Sequence, residues 1–217
     1  MSCPWPHCVL RYDGSFAGFL TCVAESFRLR VYPCCFQVPH QPPEDRWPLY
    51  PVATDRDLAR RVYAWLAAAP ALRELVTRGM LTSLPQRERL LFDLIWLWVR
   101  GEAPLEDGRA EVVRRAVRVL DAELAAVTAG LRLRDVGGLL VGQIAPRDRL
   151  LPLLGPQLSA ARPERGILVH DRMHRELLCC VGGRWRLRAA DRLDPAQPEE
   201  VAALWRRGRP EEGARLA

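Results

Sequence analysis

Three arginines, Arg184, Arg186 and Arg188, alternate with Trp185 and Leu187 near the end of the chain. An extended strand sends successive side chains to opposite faces, so this spacing predicts three guanidinium groups on one side and two apolar groups on the other. Arg132 and Arg134 repeat the pattern around Leu133. If both segments share a sheet face, five arginines line one surface. Planar guanidinium groups bind phosphate through paired hydrogen bonds, so such a surface suits nucleic acid. The competing expectation is a charged outer face of an antiparallel sheet, turned to water.

A second group is Tyr12-Asp13-Gly14-Ser15-Phe16, at a strand-to-helix junction. Free amides at a helix start can hold an anion, and a buried Asp13 could act as a general base. Aspartate and serine are also ordinary helix caps, and Asp-Gly an ordinary turn. His170 and His174 flank Asp171, but residues four apart face one metal only on a helix, and this stretch reads as strand then turn. Cys3, His7 and Cys8 are too few to hold zinc without ligands from Cys34, Cys35 or His40. No metal and no cofactor is expected, and no Gly-x-Ser-x-Gly, P-loop or dinucleotide fingerprint is present.

The elements that must position these residues follow from periodicity. The segment from Val9 to Tyr12 reads as a strand and Phe16 to Leu29 as a helix. Proline-rich residues 32–51 read as an irregular loop with a short extended piece near Leu49 to Ala53. Thr54 with Asp57 resembles a capping box ahead of a helix carrying Leu58, Val62, Trp65 and Leu66. Further helices are predicted over 71–80, 86–100 and 108–128, the last with an apolar stripe opposite Glu111, Arg114, Arg115 and Arg118. After Gly130 the pattern alternates: strands over 131–134 and 139–144 with a Gly137-Gly138 turn, a helix over 147–161, strands over 166–170, 176–181 and 184–188, and a helix over 198–207. The expected class is α+β, a largely antiparallel sheet packed with several helices and a helical middle section.

Bulk properties agree. The 217 residues, 49 % apolar and 27 % charged, suit a globular core. A single domain is expected over 9–207, with disordered ends at 1–8 and 208–217. Apolar runs are too short to span a bilayer and Met1 to Leu10 lacks a secretory signal, so a cytoplasmic protein with no membrane partner is expected. The net charge is +6 with arginine as the basic residue throughout, since the chain has no lysine. Seven cysteines, an odd number, point to thiols rather than a disulfide framework.

The order of motifs resembles a bacterial family of unassigned activity, the radical-SAM-linked "probable DNA metabolism" proteins. Their genes lie beside a radical SAM protein of DNA modification or repair, and the same domain occurs fused to uracil-DNA glycosylase domains. The resemblance is carried by the run from Tyr12 to Leu20, which includes Asp13, Gly14, Ser15 and Gly18, and by Thr54-Asp55 with Ala59, Arg61 and Val62. Leu131-Arg132-Leu133, Ile144-Ala145-Pro146 leading into Leu151-Pro152-Leu153-Leu154, and Ile167-Leu168-Val169-His170-Asp171 continue it. The chain departs where the family has Glu-Ala-His-Arg, keeping only Glu123, and it has His174 where the family has arginine. It also lacks the family's segment beyond the tryptophan matched by Trp205.

The resemblance implies a DNA-repair context without a mechanism. Together with the arginines it suggests an accessory protein that binds DNA or a repair enzyme. The alternatives are an enzyme acting on nucleic acid, with Asp13 and Glu123 as acid/base groups beside Arg132, and an interaction subunit of a radical SAM system.

Overall fold

The computed structural model describes residues 4–39, 41 and 46–210. The fold is α+β, with seven α-helices and two sheets among these residues. The chain divides into two compact units, 1–118 and 119–217, whose boundary falls inside one helix and within the stretch 9–207 read as one domain. No helix among the described residues is long and apolar enough to cross a membrane.

The first unit is built on three parallel strands, with β1 (His7–Arg11) between β2 (Tyr32–Gln37) and β3 (Leu49–Pro51). Two expectations change here. The region 32–51 opens with strand β2 where a loop was expected, while β3 falls on the extended piece expected near Leu49; the proline content misled because Pro33 sits on an edge strand, where a missing N–H is tolerated. Residues 5–8 also belong to the fold: Tyr32 donates its amide to the Pro6 carbonyl, and Trp5 packs edge-on against Phe27 and Trp96. Met1 to Cys3 and residues 211–217 lie outside the described residues. Within β2 the pairing skips one residue, so that Cys8 faces Pro33 while Val9 faces Cys35. Cys34 is therefore the extra residue of a bulge.

Helix α1 (Phe16–Leu29) starts at Ser15, whose hydroxyl accepts from the Gly18 amide, and ends at Arg30 in the left-handed region. Helix α2 (Arg56–Trp65) is capped by Asp55, not Thr54: the Asp55 carboxylate accepts from the Asp57 and Leu58 amides. Helices α3 (Pro70–Gly79), α4 (Arg87–Val99) and α5 (Gly108–Gly130) follow. Asp93 interrupts the apolar run of α4 and is buried. It accepts from the Tyr32 hydroxyl at 2.8 Å and pairs with Arg89 at 2.8 Å and Arg109 at 3.1 Å, so its charge is met on three sides.

The second unit holds five strands in the order β4 (Arg134–Val136), β5 (Leu139–Ile144), β6 (Ile167–Asp171), β7 (Glu176–Val181) and β8 (Arg184–Ala189). Strands β5 and β6 run parallel, joined through α6 (Leu151–Ala161); the other three pairings are antiparallel. The sequence-predicted strand over 131–134 is only its last residue, and the segment 131–133 instead lies over Gly142, against which Leu131 and Leu133 pack. Helix α6 begins at Leu151 rather than at 147, because the Glu123 carboxylate holds the Arg147 and Asp148 amides in the preceding turn. Helix α7 (Pro198–Gly208) closes the unit.

Candidate nucleic-acid interface

The registers decide which side chains share a face. Arg134 lies opposite Val141, Val141 opposite Leu168, Leu168 opposite Cys179, and Cys179 opposite Arg186. Arg184, Arg186, Arg188 and Arg134 therefore share one face, as alternation predicts. That face is not open. Val141, Leu168, Leu177 and Cys179 are buried on it beneath Leu193 and Val201, with Leu204 and Trp205 of α7 packed alongside. Helix α6 covers the other face, where the Trp185 indole lies against Gly155.

The expected five-arginine surface is thus corrected. Arg134 stands on one edge strand and Arg184, Arg186 and Arg188 on the other, four strand spacings or roughly 19 Å away. Apolar core and a helix lie between them. Arg132 belongs to the segment whose carbonyl rests over Gly142, on the α6 side.

A smaller basic group forms instead. A Cβ on Gly208 would stand 2.5 Å from Cys179 Sγ, so the end of α7 lies directly on the strand position opposite Arg186. Arg206 and Arg207 stand in the last turn of α7 that ends at Gly208, and Arg209 follows it. Among the described residues Arg186, Arg188, Arg206 and Arg209 make no ion pair. Exposed arginines elsewhere are often matched, as Arg28 is by Glu25 and Arg115 and Arg118 are by Glu111.

The two acid/base candidates hold backbone. Asp13 accepts from the Ser15 amide at 2.9 Å and hydroxyl at 2.7 Å. Partial burial alone would raise its pKa, but these donors hold the carboxyl below its ordinary value. A carboxylate fixed in its charged form is a poor proton acceptor. Glu123 accepts from the Arg147 amide at 2.7 Å and the Asp148 amide at 2.9 Å. Asp13 lies in the first unit, and Glu123 and Arg132 lie in the second.

The first two stretches of the family resemblance meet in the first unit. A Cβ on Gly18 would stand 2.8 Å from Tyr12 Cδ2, 2.9 Å from Thr54 Oγ1 and closer still to Asp13 Oδ1. Thr21 Oγ1 donates to the Asp55 carbonyl, binding α1 to the start of α2, and Tyr12 donates its hydroxyl to Glu88 at 2.9 Å. Gly14 occupies φ +81°, which glycine adopts without strain. These residues perform a positioning task.

One pair escaped the sequence reading. Asp171 is fully buried and accepts from the Met173 amide at 2.9 Å, the His174 amide at 3.1 Å and His174 Nδ1 at 2.7 Å. With Nδ1 donating, the neutral imidazole keeps its lone pair on Nε2. The signal was an aspartate closing a strand with a histidine three residues on, inside a tight turn. His170 is engaged elsewhere, its Nε2 meeting the Ala190 carbonyl at 2.9 Å. No protein-family model matches the chain, and no curated protein matches it either.

Proposed function

We propose that the chain is a nonenzymatic accessory protein of DNA repair that contacts DNA through the end of α7 and the adjoining edge strand β8. One observation carries the contact surface: Gly208 rests on Cys179, the cross-strand neighbour of Arg186, which sets the arginine-bearing end of α7 over the arginine-bearing edge strand, and among the described residues Arg186, Arg188, Arg206 and Arg209 make no ion pair. The family resemblance supplies the choice of DNA among polyanions. Basic residues in the last turn of a helix also complement its dipole, but Arg186 and Arg188 lie outside the helix and have no such role.

The test is DNA binding by the R186A/R188A variant over a range of salt concentrations, with thermal melting as the check on folding. Losing two phosphate contacts lowers the slope of log affinity against log salt by about 2. A folded variant with unchanged affinity and slope refutes the proposal.

A second reading, an interaction subunit of a radical SAM system, is favoured by exposed Trp65, whose ring lies 4.4 Å from that of Trp98 in the first unit. A pull-down with and without nuclease separates the two, since DNA-bridged association is lost on digestion.

A further inference from the structure

Three histidines stand among the described residues, and they differ in what each ring leaves free. His170 is buried and spends Nε2 on the Ala190 carbonyl. His7 is exposed, its ring near those of Tyr32 and Trp47. His174 combines a fixed ring with access to solvent: its side chain is 19 % exposed, whereas that of its partner Asp171 is wholly buried.

The pairing is held from both ends. Asp171 Oδ1 accepts from the Met173 and His174 amides, which leaves Oδ2 for the proton on His174 Nδ1. The turn is tied on each side as well, since Arg172 donates its amide to the Ile144 carbonyl and Ala190 donates to the Arg175 carbonyl. Among the described residues Nε2 of His174 has no hydrogen-bond partner. A ring nitrogen with a free lone pair is a nucleophile, and a carboxylate on the other nitrogen stabilises the imidazolium that forms as it reacts. Arg172 and Arg175 bracket the Met173-His174 step and are exposed. Of the nearby carboxylates, Glu176 pairs with Arg149 at 3.2 Å and Asp191 lies 3.8 Å from Arg175. Guanidinium groups so placed draw anionic reagents to the turn.

We propose that His174 is a phosphoryl-accepting residue, modified on Nε2 by donors that carry the phosphoryl group on nitrogen, with Asp171 as its positioning residue. The Nε2 lone pair attacks phosphorus. The P–N bond of the donor breaks, and its protonated nitrogen leaves as the neutral amine with the bonding pair. A new N–P bond makes the ring an imidazolium, whose Nδ1 proton stays in place against Asp171.

The full-length protein is incubated with potassium phosphoramidate, and adducts are mapped by peptide mass spectrometry at alkaline pH; phosphorus NMR distinguishes the Nε2 adduct from the Nδ1 one. His174 is labelled on Nε2, faster than His7 or His170 by on the order of tenfold or more. In D171N, Oδ1 keeps the two backbone amides and the new side-chain amide donates to Nδ1, which moves the ring proton to Nε2 and removes its lone pair. Labelling of His174 then falls by on the order of tenfold or more. Long-range nitrogen–proton NMR reads the tautomer of each unlabelled protein, which a merely structural role for Asp171 would leave unchanged. R172A/R175A slows labelling by phosphoramidate but not by diethyl pyrocarbonate, an uncharged histidine reagent. Circular dichroism confirms the fold of each variant. A parent protein whose His174 is labelled no faster than His7, or on Nδ1, overturns the proposal, as does a folded D171N or R172A/R175A variant that keeps the parent rate.

Discussion

Replacing Gly18 by alanine isolates the contact on which the first unit is assembled. Gly18 lies in the first turn of α1, and an exchange of glycine for alanine within a helix ordinarily stabilises by about 1 kcal/mol. Here the added methyl meets Tyr12, Asp13 and Thr54 at once. Tyr12 is buried and tied to Glu88, so it has little freedom to withdraw. The easier response is for Asp13 to swing away, which breaks both of its bonds to Ser15 and loosens the cap that Ser15 places on α1. Two such bonds contribute about 2 to 3 kcal/mol together, leaving a net loss of about 1 to 2 kcal/mol after the helical gain is subtracted.

Gly108 supplies the control, because it opens α5 and nothing lies within 4 Å of the position its Cβ would take. G108A is expected to be neutral or stabilising by up to about 1 kcal/mol. Urea unfolding followed by tryptophan fluorescence reads mainly the first unit, which holds Trp5, Trp47, Trp65, Trp96 and Trp98, against Trp185 and Trp205 in the second. Hydrogen exchange along α1 locates the loss. If G18A matches or exceeds the parent in stability, the packing of the Tyr12–Gly18 turn against Thr54 is not what holds this helix start.

Two further outcomes follow from the carboxylates. The folded-state pKa of Asp13 lies below its unfolded value, so its contribution to stability is complete above the ordinary carboxylate range, near pH 4, and is lost as pH falls through the lowered value. D13N is expected to flatten the acid limb of the stability–pH curve; an unchanged limb assigns that limb to other groups. D171A removes a buried acceptor of three bonds and leaves the Met173 and His174 amides without it, at a cost of about 3 kcal/mol. Hydrogen exchange in the turn between β6 and β7 rises accordingly; unchanged protection there shows that the turn does not depend on the carboxylate.

Why the sheet face was misread while helix α1 was not is a matter of which neighbours decide each element. Helix α1 is local: its apolar spacing, Ser15 cap and Asp13 turn lie within a short stretch of chain, and its span is the one the sequence predicts. Alternation in Arg184-Trp185-Arg186-Leu187-Arg188 is equally local and correctly places the arginines on one face. What covers that face is not local. The relevant signal stood in the neighbouring strands, where Ile167-Leu168-Val169 and Leu177-Leu178-Cys179-Cys180 are continuously apolar. Strands buried on both sides read in this way, whereas a strand with one wet side alternates. Two unbroken apolar strands beside an alternating one place the alternating strand at the rim of a doubly covered sheet, with its charges at the border of a helix. The contact between Gly208 and Cys179 then follows as a packing requirement: a helix lying close over buried β7 needs a residue without a side chain where the two backbones approach. That glycine lets the end of α7, which carries Arg206 and Arg207, descend onto Cys179, the strand position opposite Arg186, so the placing of the basic turn and the hydrophobic core beneath it share one structural cause.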